Sequence, residues 1–414
     1  MFRNLQAITA LLIGIFFFYG ANGLLTTVLA LKSQLAGFAP GLIGLLASGY
    51  YLGFILACMT GKHLIVNSGH IRSFAAFASL ATISVLLHPL VVEPIVWILL
   101  RVLSGYCHAM LIIVGETWLN AVTPANSRSS VFSFYRIVEL TSITLAQLSL
   151  WFVSIETSTL FLLIAISFSL AIFPITQFRS KSPGTIKTPG LNLRKLIDVS
   201  PLAMTGTFSL GLSMGAFWGL SPVFLQNNNY EPYVIGWFIS MAIIGGACLQ
   251  WPLGRLSDRI DRRKVIILAS VITSIIAILF SLFASAHFAI MLVLVFLFGG
   301  FSIPLYSICI SHAYDFSDPG EFVEISGGLL LFYGIGAVIG PALISLMMGY
   351  FGDRFLFLTI ALIMLILAIY GAHWLRLGTK LSPDMKNRFV SVATTDDIFQ
   401  LDPRKQNPKE ERGD

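Results

Sequence analysis

Ionisable side chains interrupt two long apolar stretches of the sequence. The first of these stretches carries Arg101, His108 and Glu116, and the second carries Arg136 and Glu139. Such groups are costly inside a membrane, where they usually face a partner or a water-filled cavity. Together, guanidinium, imidazole and carboxylate groups can form ion pairs, hold a charged substrate or carry a proton. These five residues are therefore the first candidates for function.

The spacing of these groups leaves several roles open. At a rise of about 1.5 Å per residue, Glu139 lies roughly 12 Å into its helix, near the middle of a bilayer. It is either a site for a proton or a substrate, or the i,i+3 partner of Arg136. Glu116 and Arg136 flank the same turn, so we expect a structural or gating ion pair between them. His108 is equally consistent with a neutral packed histidine and with a titrating one.

Twelve apolar runs must position these groups. Each has about the 20 residues that a helix needs to cross the hydrocarbon core. The runs lie at 7–31, 41–61, 71–91, 95–118, 131–153, 159–177, 200–225, 233–253, 264–284, 287–311, 323–350 and 355–375. The first run is too long for a signal-peptide core, so we expect it to remain as a helix. The sequence predicts an all-α membrane protein with twelve transmembrane helices.

The composition supports a membrane protein. Of the 414 residues, 56% are hydrophobic and 11% are charged, whereas a soluble domain carries roughly 25% charged residues. A mean hydropathy of +0.84 is incompatible with a water-soluble globule of this size. The cysteines all lie in apolar runs without metal-ligand spacing, so we expect buried thiols, no disulfides, no metal and no cofactor. They are Cys58, Cys107, Cys248 and Cys309.

The sequence lacks the motifs of several enzyme classes. It contains no phosphate-binding P-loop and no HExxH pair. The pattern G-x-S-x-G occurs once, as GLSMG from Gly211 to Gly215, but it lies inside an apolar run and not at the strand-to-helix turn that a nucleophile elbow requires. An ATP-driven pump would need nucleotide-binding residues, which are missing here. A membrane-embedded enzyme would need a clustered nucleophile, metal site or acid–base set, and none is evident. We therefore expect a protein that is not an enzyme.

The positive charges are distributed asymmetrically between alternate loops. If the N-terminus is cytoplasmic, all but four of the 26 Lys and Arg residues fall in cytoplasmic segments. The four exceptions are Lys32, Arg101, Arg136 and Arg354. This asymmetry follows the positive-inside rule. It predicts that both termini are cytoplasmic, and it explains the net charge of +6 without a nucleic-acid partner.

An internal repeat divides the chain. A shift of 192 residues brings four pairs into coincidence: Gly23 with Gly215, Pro40 with Pro232, Gly44 with Gly236, and Gly53 with Gly245. With the hydrophilic connector between the sixth and seventh runs, this repeat predicts two pseudo-symmetric six-helix bundles. The predicted units are an N-terminal bundle at 1–177, a cytoplasmic linker at 178–199, a C-terminal bundle at 200–376 and a flexible cytoplasmic tail at 377–414.

The motif GRLSDRIDRRK, from Gly254 to Lys264, joins the eighth and ninth runs. Its glycine permits close helix approach, its acid can accept bonds from a helix N-terminus, and its arginines can pair with acids or lipid headgroups. In position and spacing it resembles the loop signature of the major facilitator superfamily, with Asp261 in place of the usual second glycine. The resemblance implies a cytoplasmic gate loop that uses Gly254, Asp258, Arg259 and Arg263. The first-half copy near Gly61 has no acid and a shifted spacing.

Two further elements resemble the superfamily. Arg101 begins an RVLSG segment similar to its R-x-x-x-G element, which implies proton coupling; the alternative is an arginine that snorkels to the outer surface. Gly327, Gly336, Gly340 and Pro341 resemble its glycine–proline element, although here in the eleventh helix, where close packing is the favoured role. The segments GETWLNAVTP and EFVEISGGLLLFYGIGAVIGP are similar to the YcaD-like branch of the family.

The resemblance implies a secondary transporter that works by alternating access around a central cavity. Candidate cavity residues are Tyr19, Asn22, Trp218 and Tyr306, and candidates for proton coupling are Glu139, Arg101 and His108. We expect a monomer in the bacterial inner membrane that binds lipid, protons and a small organic molecule without high charge. Export is slightly preferred over import. The alternatives are a membrane channel and a non-transporting membrane sensor.

Overall fold

The structure is a computed structural model that describes residues 2–123, 127–177, 196, 199–282, 288–318 and 321–377. Almost all of the predicted linker and all but the first residue of the predicted tail lie outside the described residues. The predicted domain limits therefore stay predictions.

The described part of the chain contains twelve long helices. They are α1 (Phe2–Leu35), α2 (Pro40–Ser68), α3 (His70–Leu87), α4 (Pro94–Val122), α5 (Arg128–Gln147), α6 (Thr159–Thr176), α7 (Pro201–Asn227), α8 (Pro232–Arg259), α9 (Arg262–Leu282), α10 (Phe288–Tyr314), α11 (Phe322–Phe351) and α12 (Phe355–Leu377). All but α5 are long and apolar enough to cross a membrane. The predicted all-α architecture is confirmed.

Local chemistry explains where several helices begin. Pro40, Pro94, Pro201 and Pro232 each occupy the first turn of a helix. Proline suits this position because the first amides of a helix have no intrahelical partner. Ser200 additionally caps α7 by accepting a hydrogen bond from a backbone amide in its first turn.

The predicted ends of three helices were wrong. The second run was expected to end at residue 61, but α2 continues to Ser68. The eighth run was expected to end at residue 253, but α8 continues to Arg259, because the polar motif that follows is still helical. The fifth run was expected to reach residue 153, but α5 ends at Gln147 and a short 3₁₀ turn follows at Leu148–Trp151. The difference at α5 matters because the 3₁₀ turn contacts α8 of the second bundle.

Each bundle contains a helix crossing that requires glycine on both sides. Between α2 and α4, a Cβ on Gly53 or Gly105 would overlap a backbone carbonyl of the other helix. Between α8 and α10, Gly245 and Gly299 are in the same situation. Small residues let helix backbones approach closely in a membrane. The repeated crossing is the structural counterpart of the sequence repeat.

The glycines of α11 pack against α7. A Cβ on Gly336 or Gly340 would meet the backbone of α7 around Phe208 and Leu212. The packing role expected for this element is therefore confirmed.

Contacts between the two bundles close one end of the molecule. Gly44 of α2 packs against Ser345 of α11, and the side-chain amide of Gln34 donates to Asn227 across 2.6 Å. These contacts lie near the ends of α1, α2, α7 and α11 that are remote from the GRLSDRIDRRK motif. We call this end the closed face, and the end that carries the motif the basic face.

Apolar side chains cover the outer surface of the helices. Ile95, Phe173 and Ile369 are each more than 60% exposed, and many other large apolar residues are also exposed. Leaving such a side chain in water instead of burying it costs about 1.5–3 kcal/mol. A lipid environment removes this cost, which is consistent with an integral membrane protein.

Candidate functional site

A cavity of about 280 Å³ lies between the two bundles. Its wall includes residues of α1, α2, α4 and α5 from the first bundle and of α7, α8, α10 and α11 from the second. All four predicted cavity residues line it: Tyr19, Asn22, Trp218 and Tyr306. Sequence reasoning missed Tyr333, whose ring lies against that of Tyr306 with centroids 5.4 Å apart. It also lines the cavity.

Arg136 and Glu139 form an ion pair on the cavity wall. The guanidinium Nη1 lies 2.6 Å from a carboxylate oxygen of Glu139, in the i,i+3 arrangement. The Glu139 side chain is almost fully buried, whereas that of Arg136 is 28% exposed. The pair therefore places a buried carboxylate behind a partly solvated arginine.

Glu116 lies behind the cavity in a buried chain of hydrogen bonds. The Tyr135 hydroxyl donates to the Glu116 carboxylate at 2.7 Å, and the same hydroxyl lies 2.8 Å from that of Tyr19. This connects a buried carboxylate to the cavity wall through two phenols. The ion pair expected between Glu116 and Arg136 stays a prediction.

Arg101 is deeply buried on the cavity wall. The residue is only 2% exposed, so the alternative of a snorkelling arginine is wrong. Its guanidinium lies 4.6 Å from the centre of the Tyr50 ring and donates to the Thr26 hydroxyl at 3.4 Å. Nη1 has no hydrogen-bond partner among the described residues. The cationic side chain thus has a cation–π contact and one long hydrogen bond.

His108 lies two turns from Arg101 on α4. Its ring packs edge-on against Phe18 and Tyr19 and is tilted against Tyr50, with centroid distances of 5.4–5.9 Å. The Nδ1 atom has no hydrogen-bond partner among the described residues. The histidine is therefore surrounded by aromatic rings, and it also lines the cavity.

Two amide side chains complete the polar wall. The Asn22 amide donates to the Tyr50 hydroxyl at 3.2 Å, and the Gln147 amide donates to the carbonyl of Gly23 at 3.1 Å. The amide oxygens of Asn22 and Gln147 are buried without a partner among the described residues. Sequence reasoning missed Gln147 and Tyr50, because a polar residue within an apolar run has no spacing that signals a site.

The basic motif is held by ion pairs within the second bundle. Arg262 is buried and pairs with Asp258 at 3.1 Å and with Asp315 at 2.8 Å. Among the predicted gate residues, Gly254 is buried, Asp258 is partly exposed and Arg259 is exposed. Sequence reasoning missed Asp315, an acid at the end of α10 whose only signal is its position on the basic face.

The second part of the motif is the turn between α8 and α9. Arg263 pairs with Asp261 at 2.7 Å and donates to the carbonyl of Trp374 at 3.2 Å. Burial raises the pKa of the Asp261 carboxyl, but the hydrogen bonds and charge of Arg263 outweigh this effect and hold the pKa below its usual value. The acid that replaces the usual glycine therefore anchors an arginine.

The cysteines are free thiols. Cys107 and Cys309 are buried as expected, but Cys248 is exposed and Cys58 is partly exposed. The expectation of burial was wrong for these two because burial depends on which face of the helix a residue occupies. Cys58 lines the cavity.

Comparisons with known proteins agree with this architecture. A family model described as Major Facilitator Superfamily matches residues 203–394. A transporter named MFS-type transporter YcaD, from Escherichia fergusonii, is 24% identical over 321 residues, which cover 77% of this chain and 83% of the relative. An MFS-type transporter from Yersinia pestis is 24% identical over 362 residues, which cover 86% of this chain and 92% of the relative.

Solved transporters share the fold. The nucleoside transporter NupG superposes with a TM-score of 0.75 at 14% identity, covering 91% of this chain and all of NupG. A bacterial homologue of the human lysosomal transporter Spinster, in an inward-facing and unoccupied conformation, gives 0.74 at 14% identity, covering 90% of this chain and 97% of the homologue. At this identity the similarity defines the fold alone.

The family match and the transporter relatives, together with the apolar helices, support an integral membrane transporter. Residues 203–394 match the Major Facilitator Superfamily model, and the chain is similar to YcaD transporters of that family. It is a transport protein and not an enzyme.

Proposed function

We propose that this protein is a secondary active transporter that moves a small organic molecule by alternating access and couples this movement to protons. The carrying observation is the cavity between the bundles, which is sealed at one face by contacts such as Gln34–Asn227 and contains the Arg136–Glu139 pair. Movement of one bundle against the other would expose such a cavity to each side in turn.

The orientation follows from the charges. We place the basic face and both termini in the cytoplasm of a bacterium, with the protein as a monomer in the inner membrane and lipid around its apolar surface. The closed face then lies outside, and the described state is inward-open. In this state the cavity can load a substrate from the cytoplasm, and we propose export as the direction of transport.

Glu139 is the proposed proton carrier. Its carboxylate is buried on the cavity wall, where permanent charge is expensive, and its arginine partner is partly solvated. Opening and closing of the cavity would change the solvation of this pair, and with it the protonation of Glu139. His108 and Arg101 also line the cavity and are the secondary candidates.

Distance measurements between spin labels test alternating access. One label pair, at Arg72 and Lys264, spans the basic face, and another, at Glu156 and Arg354, spans the closed face; all four residues are exposed. We expect two distance populations for each pair, and conditions that shorten one pair should lengthen the other. Distances that do not change, or that lengthen together, would contradict the mechanism and favour a channel or a rigid sensor.

Thiol labelling tests the orientation separately. In a variant without the four native cysteines, Glu156→Cys should react with an impermeant maleimide added outside intact cells, and Lys264→Cys should not. The reverse pattern would exclude the proposed topology.

A further inference from the structure

The charges on the cavity wall do not cancel. The ionised residues that line it are Arg101, Arg136 and Glu139, and Glu139 pairs with Arg136. None of the ion pairs in the described part of the chain includes Arg101. A buried charge without an ionic partner is expensive. The cavity therefore has a positive charge of one unit that the described residues leave uncompensated.

The free polar atoms around Arg101 belong to one connected cluster. Thr26 accepts from Arg101 and donates to the carbonyl of Asn22, one turn away on α1. Tyr50 contacts both Arg101 and the Asn22 amide, and Gln147 binds the backbone of α1 next to Asn22. We call these five residues the polar cluster.

The polar cluster offers a specific combination of unused groups. Arg101 retains a donor, whereas Asn22 and Gln147 retain amide oxygens that can only accept. All three residues are at least nine-tenths buried. Buried polar groups in proteins are almost always hydrogen-bonded, so an occupant that satisfies them must present an acceptor beside donors. A carboxylate with an adjacent hydroxyl or amino group has this pattern.

An apolar patch on the opposite wall of the cavity is formed by Leu210, Met214, Trp218, Ile239 and Ile243 of α7 and α8. Polar side chains of the second bundle also line that wall, namely Gln250, Ser302, Tyr306 and Tyr333. Apolar side chains on one wall and a few placed polar groups on the other are typical of sites that orient an amphipathic ligand. The apolar part of an occupant would therefore face the second bundle.

We infer that the substrate is a small amphipathic monocarboxylate with a hydrogen-bond donor next to its carboxylate. The carboxylate binds Arg101, the donor binds the amide oxygens of Asn22 and Gln147, and the apolar part packs against Trp218 and its neighbours. This inference rests on the proposed transport function and names the substrate class for the same cavity. Arginine suits this role because its planar fork matches the geometry of a carboxylate.

Equilibrium binding to the full-length protein in detergent tests the inference. The probes are mandelate, 3-phenyllactate and 2-hydroxyhexanoate, each compared with its methyl ester, which removes only the negative charge. We expect at least one acid to raise the thermal midpoint at millimolar concentration and to bind at least tenfold more tightly than its ester. Arg101→Gln should weaken acid binding at least tenfold. Arg376→Gln removes an exposed charge from the end of α12 and should leave binding unchanged.

A substitution at Thr26 provides a test that does not remove the arginine. Thr26→Asp places a carboxylate next to Arg101, so it should abolish acid binding and also raise the thermal midpoint without ligand. Thr26→Asn has the size of the aspartate variant and no charge, so it should bind the acid more tightly than Thr26→Asp and have a lower thermal midpoint without ligand than Thr26→Asp. The two Thr26 variants test the inference even if Arg101→Gln does not fold.

Three results would overturn the inference. They are equal binding of acid and ester, acid binding that survives in Thr26→Asp, and failure of every acid to stabilise the unmodified protein. Binding requires no gradient and no conformational cycle, so these results are independent of the spin-label distances. If the protein binds acids selectively but its spin-label distances stay fixed, the transport mechanism is refuted and the proposed carboxylate site stands.

Discussion

At the residue scale, the Arg136–Glu139 pair joins a buried group to a partly solvated one. A carboxylate held by an arginine at 2.6 Å is stabilised in its charged form, and that stabilisation depends on the arginine staying in place. If Arg136 is drawn away when the cavity closes toward the basic face, Glu139 loses its partner in a buried site. Uptake of a proton would then relieve the cost of the isolated charge.

Glu139→Gln should separate coupling from movement. The amide keeps the shape of the side chain but cannot titrate, so uphill accumulation in proteoliposomes should fall at least tenfold while counterflow exchange continues. The assay uses a carboxylate that binds in the thermal screen. Full gradient-driven accumulation by the variant would exclude Glu139 as the carrier and direct attention to His108.

Glu116→Gln is the matched control. Its side chain is equally buried, but it lies behind Tyr135, away from the cavity lining. We expect the variant to retain gradient-driven accumulation, with any defect confined to folding or to the balance between conformations. Loss of uphill transport with normal exchange in Glu116→Gln would instead make Glu116 the carrier.

Asp261 gives a pH-dependent contribution to stability. Its folded-state pKa is lowered, so the charged carboxylate stabilises the fold at every pH above the unfolded value of about 3.9. The stabilisation is lost as the pH falls through the lower folded-state pKa. The thermal midpoint of Asp261→Asn should therefore lie below that of the unmodified protein by a constant amount from pH 7 to pH 5, and the difference should shrink below pH 4. A difference that grows on acidification would contradict this sign.

Some of these residues were predictable and others were not. Arg101, His108 and Glu139 stand out because ionisable residues are rare in apolar runs, and the structure places all three on the cavity wall. Thr26 and Gln147 carry no such signal, since uncharged polar residues are common in membrane helices. Their position emerges only when α1, α4 and α5 are brought together.

At the element scale, α5 differs from the other helices. It lacks the apolar length of a typical membrane span because it carries Arg136, Glu139 and Gln147 on the side that faces the cavity. The polar residues that lower its hydropathy are the ones that line the cavity.

The number of helices could be predicted from the number of apolar runs. The end of α8 could not be predicted in this way, because the hydropathy falls at the basic motif while the helix continues.

The glycine crossings predict a matched set of substitutions. Gly53→Ala and Gly245→Ala would each push a methyl group into a backbone carbonyl, which cannot move as a flexible side chain can. We expect each to destabilise the protein by about 1–3 kcal/mol, the range for overpacked positions. The loss should appear as a lower thermal midpoint in detergent.

Gly115→Ala is the control for this set. The nearest atom to its Cβ position on another element is 3.9 Å away, an ordinary contact distance. Its midpoint should stay close to that of the unmodified protein. Equal destabilisation by all three substitutions would contradict close helix approach as the reason for glycine at Gly53 and Gly245.

At the scale of the whole molecule, polar residues on the two faces are expected to stabilise opposite conformations of the transporter. On the closed face, Asn227 accepts from Gln34 of the first bundle and donates to Asp353 of the second at 2.8 Å. On the basic face, Asp258 is bound to Arg262 of its own bundle and remains partly exposed. We propose that Asp258 meets the start of α5 near Ser130 when the basic face closes.

Substitutions at the two faces should therefore shift the population in opposite directions. Asn227→Leu removes the link to Gln34 and should increase the outward-open fraction about two- to tenfold, since one hydrogen bond contributes about 0.5–1.5 kcal/mol. Asp258→Asn should increase the inward-open fraction by weakening the closed state of the basic face. Spin-label distances across both faces measure these shifts. Unchanged distances in Asp258→Asn would show that this residue does not lock the gate.

The unpaired Arg101 also makes the empty transporter sensitive to voltage. An inside-negative potential of 100 mV acts on one elementary charge with up to about 2.3 kcal/mol across the whole membrane. With Arg101 uncompensated, this field favours the state in which the cavity communicates with the cytoplasm. A bound monocarboxylate neutralises the cavity and removes most of that bias. Membrane potential would therefore favour the return of the empty cavity to the cytoplasmic side. The conformational change with bound substrate would be nearly independent of voltage.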